Sequence, residues 1–586
     1  MGRPEFATAL DLLESVSHCE QYGARFVSRT EEAAFYPYTQ IVDRAAKAAG
    51  YLQQKGIRPG DRIAMVLPTS IRFFDAYLGT ILAGAIPAAL YPPFQLGKLA
   101  EYFARTRNLL SKIGARALIT DGRVGKILGP VVAGVECLED ALRAEDLEQG
   151  GKWTPVESGP DQPAFLQFSS GTTQNPKAVV ITHRNLLCNL RMMAAVMGMV
   201  KDPRPEDGGV CWLPLYHDMG LVGFLFNGLH YPATITYLNP EDFIAKPSLW
   251  FRTISRYRAQ VSAAPHFAYR LCAAKVPDAE MEGVDLSCWH LALNGAEPID
   301  VEGMRSFTER FSRWGLRREA MTPAYGLAEA GLAVSFSSLD RCAAVTSFDR
   351  SALALEHRAV EGEGRDLPSL GTPMPGLEVE IRDEDDRPLG PGCVGKIVVR
   401  GPSVSPGYWE DEEATRAAIR AGGWLETGDL GFFHNSELHI VGRAKELVII
   451  RGRNYAPQEI EELLLGMPGI RSGHAVAVGH FVEGKGEELI IFAERAPEEQ
   501  LPEATLAARI RERIVRGISL NPYLIQILEP GTLPRTSSGK LQRSETLRMF
   551  LAGELVPPEK VSSLMLLKEL GKSQLAWGRF RIRARS

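Results

Sequence analysis

Through most of the N-terminal two thirds of the chain, short apolar runs alternate with stretches of helical spacing, and this alternation restricts the fold more than any other feature. Helical and apolar segments follow one another in the order 40–55, 62–67, 71–83, 85–91, 99–113 and 115–120. The runs are apolar along their whole length, which is typical of parallel strands buried on both faces. The alternation resumes after Pro163 and continues to about Phe336. We therefore predict an α/β fold with mainly parallel sheets covered by helices.

The C-terminal part of the chain changes character twice, which predicts more than one domain. At 586 residues the chain is also longer than an ordinary single core allows. Short β runs occupy 378–382 and 395–400, and a compact segment with β, helix and β signals begins after Gly442. The predicted parts are a large N-terminal domain with a β subdomain at 1–442, a boundary at 443–445, a small α+β domain at 446–555 and a basic tail at 556–586.

Charge and cysteine content exclude several classes of protein. The chain carries 66 basic and 71 acidic residues, and this balance predicts no nucleic-acid partner. Its eight cysteines contain no C-x-x-C pair, which favours a reducing cytoplasm over a disulfide framework or a zinc site. The most apolar window, 76–94, is interrupted by glycines and prolines, so we interpret it as a buried helix and strand. We expect a cytoplasmic protein without an integral membrane segment.

A loop of small hydroxyl residues lies between two of the predicted strands, in the sequence FSSGTTQNPKA at 168–178. Hydroxyls, backbone N–H groups and one ammonium are suited to hold a triphosphate. The candidate phosphate ligands are Ser169, Ser170, Gly171, Thr172, Thr173 and Lys177. The spacing is not that of a Walker A loop. Taken alone, the segment could equally be a solvated turn.

Seven further motifs follow this loop. In chain order they are WLPLYHDMG at 212–220, GAEP at 295–298, TPAYGLAE at 322–329, RGPSVSPGY at 400–408, TGD at 427–429, GRAK at 442–445 and PRTSSGK at 534–540. The ordered set resembles the adenylate-forming superfamily of acyl-CoA synthetases, peptide-synthetase adenylation domains and beetle luciferases. The resemblance spans about 27–551, nearly the whole chain. Each motif is weak alone, whereas all eight in order are specific.

The resemblance implies that ATP activates a carboxylate, a reaction that brings two anions together and requires cations and donors. Lys540 is similar to the family lysine that bridges the carboxylate and the α-phosphate, and Glu329 to the glutamate that binds Mg²⁺. Together with Thr172 they form the expected catalytic set. Outside the family context, Glu329 would be a helix-start or surface acid and Lys540 a solvent-facing lysine. Lys445 matches the pivot of the family hinge between the domains.

The same resemblance assigns a nucleotide site. Asp429 matches the aspartate that accepts the ribose hydroxyls, Tyr325 the aromatic that stacks on adenine, and Arg443 an arginine on ribose or phosphate. The other residues placed against the nucleotide are Gly295, Ala296, Glu297, Thr322, Ala324, Gly326 and Leu327. Without the family, Asp429 could be a turn residue and Tyr325 a core aromatic. The family usually has glycine where this chain has Gln174 and Ala178, so we expect the loop to grip pyrophosphate differently.

Three features resemble the fatty acyl-AMP ligases within the superfamily. They are IPAALYPP at 86–93, HDMGL at 217–221 and an irregular stretch at about 345–370. By resemblance, that stretch is an insertion that packs on the small domain and disfavours free CoA. Its alternative interpretation is a variable surface loop.

The leading hypothesis is an enzyme that uses MgATP to adenylate a fatty acid. The acyl group would then pass to the phosphopantetheine thiol of an acyl carrier protein or of a polyketide or peptide synthase carrier domain. The candidate substrate residues are His217, Asp218, Met219, Leu221, Phe267, Leu293 and Leu332. Two alternatives are a fatty acyl-CoA ligase and a non-catalytic module that binds acyl-adenylates or lipids.

Overall fold

The computed structural model describes residues 6–93, 99–168, 176–198, 208–450, 453–483, 485–536, 539–558 and 563–583. The predicted alternation is confirmed, and the six segments from 40 to 120 end within one or two residues of the expected positions. The large domain has two helix-covered sheets, a third β sheet follows, and a smaller α+β domain comes next.

The first sheet contains six strands. In spatial order they are Asp140–Arg143, Ala117–Thr120, Arg62–Val66, Ile86–Leu90, Pro163–Phe168 and Ala178–Thr182. The first five run parallel, whereas the last two are antiparallel. Phe168 pairs with Ala178, so the two ends of the hydroxyl-rich loop are held together. The strands on either side of the loop therefore form an antiparallel pair at the edge of the sheet.

The second sheet contains nine strands around a parallel centre. In spatial order they are Thr372–Pro373, Leu332–Phe336, Met321–Leu327, Leu291–Gly295, Val261–Pro265, Gly209–Cys211, Ile235–Leu238, Gly23–Val27 and Ala33–Pro37. The six strands from Met321–Leu327 to Gly23–Val27 run parallel. Their carboxyl ends share one edge, which is where ligands bind in such sheets.

Helices cover both sheets. In the large domain they span Ala9–Val16, Tyr38–Gln54, Ile71–Leu82, Leu99–Lys112, Gly129–Ala133, His183–Val196, Asn227–His230, Pro240–Ala245, Ser248–Tyr257, His266–Lys275, Val301–Phe311 and Glu412–Ala418. Local sequence sets some of these ends. Thr182 closes its strand and caps the next helix, because its side chain accepts a hydrogen bond from the Asn185 amide. A π-helical turn, Leu221–Phe226, precedes Asn227–His230.

The third sheet carries the connection to the small domain. Its strands are Glu378–Arg382, Gly395–Arg400, Ile419–Arg420, Trp424–His434 and Glu437–Arg443, all antiparallel. The irregular stretch at 345–370 contains a hairpin of Val345–Asp349 and Gly364–Pro368. Phe348 of this hairpin is fully buried and packs edge-on against Phe432 and His439 of the third sheet. The stretch is therefore an ordered hairpin anchored in the core by Phe348, although most of the segment between its strands is exposed.

The small domain is built around an antiparallel pair of long strands, Ile470–Val482 and Gly486–Arg495, with Leu524–Leu528 parallel to the second. A short hairpin, Val448–Ile450 and Arg453–Tyr455, precedes them. The helices are Pro457–Glu462, Glu503–Ile518 and Arg543–Leu551. No helix within the described part of the chain is long and apolar enough to span a membrane.

The basic tail contains a helix, Ser563–Arg583, although its sequence shows no clear pattern. Two of its leucines, Leu567 and Leu575, are 66% and 71% exposed. Instead, Phe580 is buried in the apolar core of the first sheet and Trp577 packs beside it. The tail thus belongs to the folded body of the large domain.

Candidate active site

A cavity of about 910 Å³ lies where the small domain meets the large domain. Its wall includes Lys177, Glu329, Asp429 and Arg443 from the large-domain side and Lys540 from the small domain. These residues come from five motifs that are far apart in sequence. The fold therefore gathers the predicted charged residues in one space.

Asp429 and Arg443 face each other because their strands pair in register in the third sheet. The Arg443 Nε donates to Asp429 Oδ1 at 3.1 Å, and the Tyr325 hydroxyl donates to Asp429 Oδ2 at 2.7 Å. Burial and the neighbouring carboxylate raise the pKa of Tyr325, so its hydroxyl stays a donor. Both carboxylate oxygens are thereby oriented while lone pairs remain for a ligand.

Gly295 and Ala296 form a close backbone approach at the carboxyl end of the strand Leu291–Gly295. A Cβ on Gly295 would lie 2.7 Å from the Ala324 carbonyl oxygen, so only glycine fits there. Ala296 adopts φ 64°, a left-handed conformation that is costly for alanine. Strained backbone of this kind is concentrated at functional sites.

Glu329 lies in the turn after the strand Met321–Leu327, and the Tyr408 hydroxyl donates to its Oε1 at 3.0 Å. Burial raises the pKa of Glu329, although Tyr408 and Arg443 oppose the rise. Lys177 Nζ sits 4.5 Å from the centroid of the Tyr408 ring. Tyr408 therefore links the end of the hydroxyl loop to Glu329. Its place at the end of the RGPSVSPGY motif is the one signal in the sequence that points to Tyr408 as a site residue.

Lys540 projects from a tight hairpin of the small domain. The Thr536 amide donates to the Lys540 carbonyl at 2.8 Å, and the Lys540 amide donates to the Thr536 hydroxyl at 3.0 Å. Burial lowers the pKa of the Lys540 ammonium, while the carboxylates of Glu297 and Asp218 raise it. A cation that is taken out of water between two acids is placed to interact with further negative charge.

Asp218 is held as a carboxylate beside this lysine. Burial alone would raise the pKa of Asp218, but His217 and Lys540 bring it below its usual value. His217 Nδ1 lies 2.6 Å from Asp218 Oδ1, and the Met219 amide donates to the same oxygen at 2.8 Å. Glu297 Oε1 accepts the Phe267 amide at 2.5 Å. Both acids near Lys540 are therefore fixed in position.

One part of the cavity is apolar. It is lined by Met193, Met197, Met219, Phe224, Val261, Ala263, Phe267, Leu271, Leu293, Ile299, Leu327, Leu332 and Phe336. Met193, Met197, Phe224 and Phe336 were not predicted as pocket residues, because apolar spacing does not separate a core face from a pocket face. An elongated apolar ligand fits such a wall.

Two predicted residues do not reach the cavity. Leu221 has no exposed surface and is part of the core of the large domain. Thr322 is also fully buried, and its hydroxyl donates to the Ala320 carbonyl at 3.0 Å. The predicted Gly295, Ala296, Glu297, Ala324, Gly326 and Leu327 do line the cavity, as does Lys445. The loop residues Ser169, Ser170, Gly171, Thr172 and Thr173 lie outside the described residues, so their roles stay predictions.

Fold and cavity together place the chain among the adenylate-forming enzymes. The AMP-binding enzyme family model matches residues 17–409, and the chain belongs to that family.

Among its relatives, the medium-chain-fatty-acid–[acyl-carrier-protein] ligase JamA of Moorena producens (strain JHB) is 33% identical, over 95% of this chain and 97% of the relative. A putative acyl-CoA synthetase of Caulobacter vibrioides is 32% identical, over 94% of this chain and 96% of the relative. A solved structure from a study of fatty acyl-adenylate ligases of E. coli and L. pneumophila matches with TM-score 0.87 and 32% identity, over 94% of this chain and 98% of that chain. The likeness therefore covers both domains.

Proposed function

We propose that this enzyme activates a fatty acid with ATP and passes the acyl group to the phosphopantetheine thiol of a carrier protein or carrier domain. The observation that carries the proposal is the position of Lys540. This residue of the small domain lies in the same cavity as Asp429 and Arg443, next to an apolar pocket. Support also comes from JamA, which is named as a fatty-acid ligase for an acyl carrier protein.

In this proposal the nucleotide binds against the large domain. Asp429 accepts the ribose hydroxyls, since Tyr325 and Arg443 already orient both of its oxygens. The adenine ring lies between Tyr325 and the backbone of Gly295 and Ala296, which line the same cavity. The hydroxyl loop and Lys177 are assigned to the phosphates.

Adenylation is an in-line displacement. A carboxylate oxygen of the fatty acid attacks the α-phosphorus of ATP, and the bond from that phosphorus to the bridging oxygen breaks. Pyrophosphate leaves with the bonding electron pair. Lys540 donates to the negative charge that gathers on the reacting oxygens, and the fold already places it in the cavity that holds the proposed nucleotide site.

Glu329 is suited to be the protein ligand of Mg²⁺. It is a carboxylate whose pKa is raised by burial, so a cation would favour its ionised form. No cluster of three or more potential metal ligands occurs among the described residues. Mg²⁺ is commonly bound through one or two carboxylates together with phosphate oxygens. When bound, Mg²⁺ neutralises phosphate charge.

Transfer follows from the acyl-adenylate. The thiolate sulfur of phosphopantetheine attacks the acyl carbon, the bond from that carbon to the phosphate oxygen breaks, and AMP leaves with the electron pair. Lys540 has no role in this step, so we propose that the small domain turns about 443–445 to clear the site. Lys445 lies in the turn Ala444–Glu446 and is the proposed pivot.

The acceptor could instead be CoA, as the name of the Caulobacter relative suggests. The insertion favours a carrier, because Arg350 of the insertion forms a 3.2 Å ion pair with Glu459 of the small domain. Arg365 of the same hairpin donates to the Val441 carbonyl at 3.1 Å, just before the proposed hinge. These contacts join the insertion to both sides of the domain junction and would resist free rotation.

Isotope exchange between pyrophosphate and ATP, measured with a panel of fatty acids, tests the first step. Product analysis with CoA or a phosphopantetheinylated carrier then tests the second. We expect exchange with at least one chain length and acyl transfer to the carrier in preference to CoA. Equal or better use of CoA would favour the acyl-CoA ligase. Absence of exchange with every fatty acid would contradict the proposed activity and favour a binding module.

A further inference from the structure

Three buried charged side chains connect the proposed hinge to the hairpin that carries Lys540. Arg543 Nη1 lies 2.7 Å from Glu446 Oε2, and its Nε and Nη2 lie 2.8 and 2.7 Å from the two oxygens of Glu461. The three side chains are 13%, 5% and 14% exposed, in the order Arg543, Glu446 and Glu461. Such a shielded, bidentate pair has a defined geometry, unlike a surface ion pair.

Each member of this cluster belongs to a different segment. Glu446 directly follows the proposed pivot Lys445 in the turn Ala444–Glu446. Glu461 lies in the last turn of the helix Pro457–Glu462. It also accepts a hydrogen bond from the Ala477 amide at 3.0 Å, which links it to the central sheet of the small domain. Arg543 begins the helix Arg543–Leu551, three residues after Lys540. The Arg543 guanidinium thus links Glu446, beside the pivot Lys445, to the start of the helix that follows the Lys540 hairpin.

We propose that Arg543 is a positioning residue for adenylation, which fixes the lysine hairpin relative to the pivot and so returns Lys540 to the same place for each adenylation. The inference rests on the proposed function. Lysine keeps the charge but cannot span Glu446 and both oxygens of Glu461 with a planar fork. The proposal therefore predicts a defect in Arg543→Lys that charge alone does not repair.

The test compares Arg543→Lys with Arg548→Lys. Arg548 lies on the same helix and pairs with Glu545 and Glu554 at 2.8 Å, away from the hinge. For Arg543→Lys we expect kcat for adenylation to fall at least tenfold, with KM for ATP and fatty acid within about twofold. Transfer from supplied acyl-adenylate should stay within twofold, and Arg548→Lys should leave both steps unchanged.

A merely structural role would lower both half-reactions together, and that result would overturn the proposal, as would unchanged adenylation in Arg543→Lys. The variant Glu446→Gln provides a second arm. It should lower adenylation in the same way, and the double variant should be no slower than Arg543→Lys alone, because one linkage is broken in each case. Additive losses would contradict a shared role. Failure of the parent enzyme to adenylate any fatty acid would instead refute the proposed function.

An independent observation concerns the tail helix Ser563–Arg583. The Gly129 amide donates to the Ser573 hydroxyl at 2.9 Å, and the Trp577 indole donates to the Gly125 carbonyl at 2.9 Å. A Cβ on Gly129 would lie 2.1 Å from the Ser573 carbonyl oxygen, so the two backbones meet without space for any side chain. Phe580 is only 4% exposed. Through these contacts the tail helix packs at one defined place on the large domain, and we call it the seated helix.

The small domain is consequently joined to the large domain at both of its ends, by the hinge and by the seated helix. We infer that the seated helix is a tether that limits the rotation of the small domain and so slows transfer. This inference also rests on the proposed function. Gly129→Ala should unseat the helix, since two backbone segments must separate to admit the methyl group, while alanine itself favours the helix Gly129–Ala133.

Single-turnover transfer from preformed acyl-adenylate measures the effect. We expect Gly129→Ala, and truncation after Val556, to speed transfer at least threefold with adenylation within twofold. Leu575→Ala, at a position that is 71% exposed, is the matched control and should change neither step. Unchanged or slower transfer in both variants would overturn the tether. Should Gly129→Ala fail to fold, the truncated chain decides alone.

Discussion

Replacement of Lys540 by alanine is the most direct test of the assembled site. Lys540 lines the cavity together with Asp218, Glu297 and Arg443, and the two carboxylates favour its charged form. Removing it leaves two acids beside the position of the reacting phosphate. A lost transition-state donor of this kind lowers kcat by roughly 10²–10³-fold, which corresponds to about 2.7–4 kcal/mol. We therefore expect a fall of about that size in the rate of acyl-adenylate formation.

Binding should be affected much less, because the nucleotide is proposed to bind through Asp429, Arg443 and Tyr325 of the large domain. The assay is single-turnover formation of acyl-adenylate, with dissociation constants for ATP and fatty acid measured separately. The pH profile of the parent gives a second check. Burial lowers the pKa of Lys540, so the protonated form is lost, and adenylation should decline, at a pH below that of an ordinary lysine. Adenylation by the variant at the parent rate would refute the role of Lys540.

Three further changes test other parts of the site. Asp429→Asn should raise KM for ATP about tenfold or more, because charge-assisted hydrogen bonds contribute roughly 1.5–3 kcal/mol. An unchanged KM would show that Asp429 does not bind the nucleotide. Tyr408→Phe removes a hydrogen bond that lowers the pKa of Glu329. The loss of activity on acidification should therefore begin at a higher pH, and an unshifted acid limb of the pH–activity profile would contradict this. A short Gly/Ser linker in place of 349–366 should raise acyl-CoA formation, since it deletes Arg350 and its ion pair with Glu459; undetectable CoA use with intact adenylation would place the discrimination elsewhere.

Local patterns in the sequence predicted many of the strands and helices of the large domain. Strand and helix segments from 40 to 120 are confirmed within one or two residues, since apolar spacing and helix signals act over a few neighbours. The eight ordered motifs also predicted which charged residues would share a site, and Glu329, Asp429, Arg443 and Lys540 do line one cavity. The ordered motifs predict a shared site because each motif contributes residues to the lining of the same cavity.

The face that each residue presents was decided only by tertiary packing. Leu221 and Met219 are neighbours in one motif, yet Met219 lines the cavity and Leu221 is buried in the core. The tail shows the same limit, because Ser573, Trp577 and Phe580 contact the large domain whereas Leu567 and Leu575 are exposed.

The alignment of Asp429 with Arg443 depends on the register of two paired strands. The cluster of Arg543, Glu446 and Glu461 forms only because three segments that are distant in sequence meet in the fold. Composition and spacing determine which segments become strands, helices and loops. Only long-range contacts, whose energies depend on the whole fold, determine which side chains face one another across the cavity.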